Sequence, residues 1–340
     1  MVKYSGSLKN FMEVKNMKKV VSLALVFVLV LTVAAVAVPL SGPYDGGKRL
    51  AFATGGQQGE YFSFGSLIAN YVSRNTSTQL NVIASSGAMQ NIEALSKGDV
   101  QLAFVQSDVG FYASRGTRLF DKKYENFSTV AQLYPEPVQI ITLTPEIESI
   151  EDLRGMTVSV GAAGSGTYFN AVDVFNAYGM ELGVDVNPVY ESFGSSVEAL
   201  KAGKIDAAFI VAGAPTPAVS ELAKSAKVYV VSFDDKHIMD LIAKCPYYGR
   251  FDVPKATYGA DADDVTVAVH SVIVARDDVS ANDVYNFMYG VFENLEDMGK
   301  DNARARVLSL KTAASYPAVP YHPGAVKYLG EKDILVSGKK

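Results

Sequence analysis

Two glycine-rich turns carry the residues in this chain best placed to do chemistry. The first reads Gly55-Gly56-Gln57-Gln58-Gly59-Glu60-Tyr61 and the second Gly161-Ala162-Ala163-Gly164-Ser165-Gly166-Thr167. Each follows an apolar stretch that reads as a strand, Leu50 to Thr54 and Thr157 to Val160, and each opens a helix. Bare backbone N–H groups at a helix N-terminus carry roughly half a positive charge, so the chemistry on offer is anion binding. A phosphate loop needs the ending G-K-[ST], which neither turn has. The second turn also runs G-x-x-G-x-G, not the dinucleotide order G-x-G-x-x-G. A carboxylate fits better. One such turn alone reads as a tight turn in which glycine supplies positive φ; two matched turns favour a ligand.

Further polar residues sit near the same strand ends. Ser85-Ser86-Gly87 precedes a helix around Met89 to Leu95, and Gln106-Ser107-Asp108 follows the strand Val100 to Val105. Their hydroxyl and amide groups suit the orientation of a small polar ligand, with helix N-capping the alternative for Ser86 and Asp108. Asn91, one turn into its helix, has the same standing. No constellation activates a nucleophile. Ser165 lies in G-S-G and not in G-x-S-x-G, and His237, His270 and His322 are scattered, His270 within a strand and His322 in a turn. Cys245 is the single cysteine, which excludes an intrachain disulfide and a thiolate cluster. Asp261, Asp263 and Asp264 lack the Gly and Glu of a calcium loop and read as a solvated connection. No metal or cofactor is expected.

The elements that must position these turns come in duplicate. Ile92 to Val105 reads IEALSKGDVQLAFV and Val197 to Ile210 reads VEALKAGKIDAAFI, each the end of an amphipathic helix, a glycine stop and a short apolar strand. Gly59-Glu60-Tyr61-Phe62 corresponds to Gly166-Thr167-Tyr168-Phe169 at nearly the same offset. Two copies of one α/β unit imply mostly parallel sheets flanked by helices, with ligand sites where strand C-termini meet helix N-termini. They predict a two-lobed body whose glycine turns face one cleft. Beyond the second copy we expect a strand over Val228 to Phe233, a loop over Cys245 to Gly259 and a strand over Val265 to Ala275. Helices are expected over Asn282 to Met298 and Ala303 to Leu310. Returning this last part to the first lobe requires two crossings, near Pro135 to Val138 and Asp264 to Val269.

The 340 residues suffice for about two domains. Lys3, Lys9, Lys15, Lys18 and Lys19 oppose Glu13 alone in the first 37 residues, so removing that segment takes the net charge from −5 to −9. So acidic a body, with no basic patch, argues against nucleic acid. From Met17 the chain reads as an export signal: Lys18-Lys19, an uncharged run from Val20 to Val38, and Ala35-Val36-Ala37 as a cleavage site before Val38. An uncleaved anchor is the alternative. Either way the body is expected outside the cytoplasm, with residues 1–37 an extension and signal.

From Leu50 to Gly330 the chain resembles the TAXI class of extracytoplasmic solute-binding proteins that serve TRAP transporters. The likeness rests on the turn Gly55 to Tyr61, Gly87 through Asn91-Ile92, Gln106-Ser107-Asp108 and Leu133-Tyr134-Pro135-Glu136-Pro137. It continues through Gly161 to Thr167, Ala212-Gly213 with Pro215-Thr216, and Val319-Pro320 with His322-Pro323-Gly324-Ala325. The resemblance implies a type II periplasmic-binding-protein fold that closes around a small solute and delivers it to a permease driven by an ion gradient. It also implies glutamate, glutamine or a five-carbon dicarboxylate such as 2-oxoglutarate as cargo. Carried over by motif, the ligand contacts would be Gly56, Tyr61, Gly87, Asn91, Gln106, Asp108, Ser165, Gly166, Thr167, Ala212, Gly213 and Thr216. Gln57-Gln58 and Phe62 depart from the commonest first loop.

The expected lobes are 43–138 plus 265–340, and 139–264. None of the cleft motifs contains Arg, so loop amides and hydroxyls, not a guanidinium fork, are expected to hold the carboxylate. An ionised Asp108 facing the cleft would favour a ligand ammonium, hence glutamate over 2-oxoglutarate. A ligand-sensing module for a membrane receptor and an exported hydrolase are the alternative functions.

Overall fold

The computed structural model describes residues 42–118 and 120–339; the export segment and its cleavage site lie outside these. The first copy of the repeat runs β1 (Arg49–Ala53), α1 (Glu60–Asn75), β2 (Gln79–Ile83), α2 (Ala88–Lys97), β3 (Leu102–Gln106) and α3 (Ser107–Arg115). β1 pairs in parallel with both β2 and β3. Gly98, at φ 87°, ends α2 by turning its amide back to the carbonyls of Ala94 and Leu95, a left-handed stop that a side chain would strain.

After the long strand β4 (Phe127–Thr142), the second copy repeats the order with β5 (Thr157–Ser159), α4 (Gly166–Ala177), β6 (Asn187–Val189), α5 (Phe193–Lys201), β7 (Ala207–Val211) and α6 (Pro217–Ala223). β5 pairs in parallel with β6 and β7, as β1 does with β2 and β3. Phe104 and Phe209, equivalent in the two copies, are both fully buried. There follow β8 (Tyr229–Val230), α7 (Asp235–Lys244), β9 (Gly249–Val253), β10 (Asp264–Arg276), α8 (Ala281–Phe292), α9 (Leu295–Asp301), α10 (Leu310–Ala313) and α11 (Pro323–Gly330).

The strand order is β2-β1-β3-β10-β4-β7-β5-β6. The sheet is mixed, since β10 and β4 at its centre run antiparallel to their neighbours. The stretches expected to carry the chain across are where these strands change partner. β4 pairs β10 along Phe127–Pro137 and β7 along Val138–Thr142, while β10 pairs β9 along Asp264–Ala268 and β3 along Ser271–Ala275.

Four expectations need correcting. The segment 282–298 is two helices, because Asn294 turns its amide back to the Gly290 carbonyl at 2.9 Å and the chain restarts as α9. The predicted helix 303–310 is a 3-10 turn, Ala303–Val307, followed by α10. The loop 245–259 contains β9, whose partner is the start of β10; its exposed, weakly apolar residues gave no alternation to read. The strand placed at 228–233 shrinks to Tyr229–Val230.

Candidate functional site

Four helices begin at one cavity of about 430 Å³: α1 and α2 from the first copy, α4 and α5 from the second. Their first-turn amides have no carbonyl four residues back to pair with. Ser165 and Ser192 cap α4 and α5 by accepting from the amides of Tyr168 and Ser195, which leaves the N–H groups of Gly166, Thr167, Phe193 and Gly194 at the wall. Gly59 and Gly87 precede α1 and α2 with no side-chain cap. This is an anion-binding surface built from main chain.

The two copies meet closely around the cavity. The amides of Met89 and Gln90 donate to the Gly164 carbonyl at 3.1 and 3.3 Å. A β-carbon on Gly166 would lie 1.3 Å from Gln106 Oε1, and one on Gly194 would lie 1.5 Å from Gln58 Oε1. At 166 the buried, hydrogen-bonded Gln106 requires glycine, whereas at 194 the neighbour is the exposed end of Gln58, which can swing aside.

Of the expected ligand contacts, Gly56, Tyr61, Gly87, Gln106, Ser165, Gly166, Thr167 and Ala212 line the cavity. Four do not. Asn91 is buried and donates to the carbonyls of Thr54 and Phe104, each at 2.7 Å, tying β1 to β3. Asp108 is buried in a network in which Asn170 donates to it at 2.9 Å and also to Tyr248 Oη at 2.7 Å. Gly213 packs against the Arg304 guanidinium. Thr216 is held between Gln139 and Tyr258 and donates to the Gly213 carbonyl at 3.0 Å. With Asp108 off the wall, the argument that it would receive a ligand ammonium loses its footing.

Sequence reasoning passed over Glu60, Glu136, Ser192, Phe193 and Gly194, all at the wall. The last three were within reach, since the repeat offset that aligns Ile92 with Val197 carries Gly87 onto Ser192. Glu136 sits on β4, 1% exposed, and accepts from Tyr61 Oη at 2.8 Å. Burial drives its carboxyl well above the usual range, against the pull of the Tyr61 hydrogen bond, and the Asp108 charge adds to the rise. The Tyr61 ring stacks on Phe104 with centroids 4.6 Å apart. Glu60 is also raised by burial, opposed by Arg304, with which it forms an ion pair at 3.6 Å. The same guanidinium lies 5.1 Å above the Tyr134 ring and reaches the Pro215 carbonyl at 3.4 Å. Among the described residues, no Lys, Arg or His lines the cavity.

Two of the histidines have structural work. His322 caps α11 and its other ring nitrogen lies 3.1 Å from the Val279 carbonyl. His237 pairs with Asp234, the N-cap of α7, and stacks on Tyr178; with Glu151 this pair forms a trio of metal-ligand type, none of which lines the cavity. The three aspartates near residue 262 act separately: Asp261 pairs Lys227, Asp263 accepts from the Lys255 amide and Asp264 from Ser232.

The fold recurs in solved structures. MatC from Rhodopseudomonas palustris, solved with malate, is 12% identical, with 84% of this chain and 97% of that one covered at a TM-score of 0.53. A second R. palustris protein, solved with adipate, is 16% identical over 78% and 89% of the two chains, with a TM-score of 0.52. The ligand-binding component of an ABC-type import system from Staphylococcus aureus, solved with zinc, is 12% identical over 84% and 92%, with a TM-score of 0.51. At such identities the likeness establishes the fold, the α/β fold of periplasmic binding proteins. The sequence carries the relationship further, for the model of one family matches residues 52–332, and the chain belongs to the NMT1-like family.

Proposed function

We propose that this protein is an extracytoplasmic solute receptor of a TRAP-type transporter. Its lobes, 43–138 plus 265–340 and 139–264, close around a small carboxylate: glutamate, glutamine or a five-carbon dicarboxylate such as 2-oxoglutarate. The closed form is then presented to a permease driven by an ion gradient. One observation carries the reading: four helix N-termini, two from each copy of a repeated unit, open onto one cavity. Amides there can hold a carboxylate without a guanidinium. A receptor needs no nucleophile, and among the described residues no serine or threonine at the wall is paired with a base.

In this mechanism the ligand first meets the amides of one lobe. Contacts with the other lobe form only on closure, and their differential free energy shifts the population to the closed form. The β4 and β10 crossings serve as the hinge. The test is the melting temperature of residues 38–340, stripped of carried ligand by unfolding and refolding, against glutamate, glutamine, 2-oxoglutarate, succinate and neutral amino acids. A ligand at a hundred times its Kd adds about 2.7 kcal/mol and moves the melt by several degrees. No shift with any of them overturns the reading.

A further inference from the structure

We propose that Glu136 is the cation-receiving group of this cavity and sets its specificity, so that the cargo carries an ammonium beside its carboxylate and a dicarboxylate lacking one is rejected. The inference rests on the receptor reading above and narrows its cargo.

The wall is divided in chemistry. Helix starts supply donors, while β3 and β4 supply acceptors that the described protein donors leave partly or wholly unsatisfied. Two carboxyls line the cavity, Glu60 and Glu136, at 5% and 1% exposure. Arg304 is paired with Glu60 and lies outside the cavity wall, reaching Glu136 only through its field, so among the described residues Glu136 is left as the wall carboxyl with no ion-pair partner. A carboxylate accepts up to about four hydrogen bonds, yet among the described residues only Tyr61 Oη donates to Glu136. Gln106 is the second unsatisfied acceptor. Its Nε2 is committed to Asn170 Oδ1 at 2.9 Å, and Asn170 Nδ2 is in turn committed to Asp108 and Tyr248, so the chain of bonds fixes which end of the Gln106 amide is free. That free end, Oε1, is buried at the wall with no partner. An ammonium brings three donors to such a place; a second carboxylate brings only more acceptors.

In the empty cavity burial pushes the Glu136 carboxyl toward its protonated form, because an unpaired buried carboxylate is costly. An arriving ammonium takes the place of that proton, which leaves to solvent. The groups around Glu136 are Tyr61 and Glu60 on α1, Asp108 on α3, Arg304 on the turn after α9, and Tyr134 on its own strand. On β10 the residue opposite Glu136 is Val269, while His270 pairs with Pro135 and so belongs to the other face. Binding with proton release tightens as pH rises and levels off above the pKa of the empty site.

Isothermal titration of the stripped protein decides the matter, with L-glutamate, L-glutamine and a neutral L-amino acid set against 2-oxoglutarate and succinate. Titrations at pH 6 and 8, in two buffers of different protonation enthalpy, count the protons. An amino acid should bind at least tenfold tighter than either dicarboxylate, more tightly at pH 8 than at pH 6, with release of a proton. Glu136→Gln, with its fold checked by its melt, should lose at least tenfold in amino-acid affinity together with the proton release. Equal affinity of the wild-type protein for 2-oxoglutarate and glutamate, or unchanged glutamate binding by the variant, overturns the assignment while leaving the receptor reading intact. Binding of none of these solutes removes both.

Discussion

Gln106 and Gly166 depend on each other: the amide fills the space in which any side chain at 166 would stand. Gly166→Ala places a methyl 1.3 Å from Gln106 Oε1 and 2.4 Å from its Cδ, so the buried amide must leave and its bond to Asn170 breaks. We expect a loss of about 1–3 kcal/mol in stability, read as a lower melting temperature, together with weaker ligand binding; an unaltered melt would contradict it. Asp108 makes a different prediction. Burial, with the Asp173 charge behind it, raises this carboxyl to about 7. The folded protein then holds a proton that the unfolded chain gives up above about pH 4, so stability falls as pH rises from about 4 to about 7 and is flat above. Glu136 and Glu60 act in the same direction. Asp108→Asn should reduce the slope, which urea denaturation at pH 5 and 7.5 measures; a slope equal to wild type would count against the assignment. At this scale the glycines, Gln106 and Ser165 were legible because each lies at a strand end or helix start visible in the local pattern. Glu136 was not, since its significance depends on Tyr61, 75 residues away.

The duplicated α/β unit was readable in advance because its two copies share apolar spacing and glycine stops, features set within ten or so residues. The segments that failed are those whose state is decided by a partner. β9 exists because the start of β10 lies beside it, and the break between α8 and α9 follows from the Asn294 back-bond. Helix packing gives a prediction of its own. Gly290 lets α8 approach α1 so closely that a β-carbon would lie 2.7 Å from Val72 Cα. Gly290→Ala gains about 1 kcal/mol of helix propensity, but the contact is with backbone, which cannot swing aside, and overpacking costs about 1–3 kcal/mol. We expect net destabilisation, visible as a lower denaturation midpoint with an unchanged slope. A midpoint equal to or above wild type would mean that the helices separate freely.

For the whole molecule, the two copies are joined in two ways: by polar contacts beside the cavity, such as Gly164 with Met89 and Gln90 and Asn170 with Gln106 and Asp108, and by a shared apolar core in which Tyr112 and Phe120 meet Phe169. The polar contacts beside the cavity suit surfaces that part and rejoin. Small-angle scattering should therefore give a larger radius of gyration for the stripped protein than for the same protein with saturating ligand; identical radii would argue against closure. The permease partner and the export signal belong to this scale too, and both rest on sequence alone.

The cavity is assembled from two like halves, yet its proposed cargo has unlike ends. The repeat carries Gln106 onto Val211, and both stand at the wall, an amide facing an aliphatic side chain at matching positions. Glu136 comes from a strand outside the repeat. A socket drawn from two copies of one unit is thus made directional where the copies differ and where Glu136 enters, and those residues decide which way round a molecule is seated. Its preference between mirror-image amino acids should therefore be concentrated in Gln106, Val211 and Glu136, while the glycine turns, alike in both halves, read charge and are blind to hand.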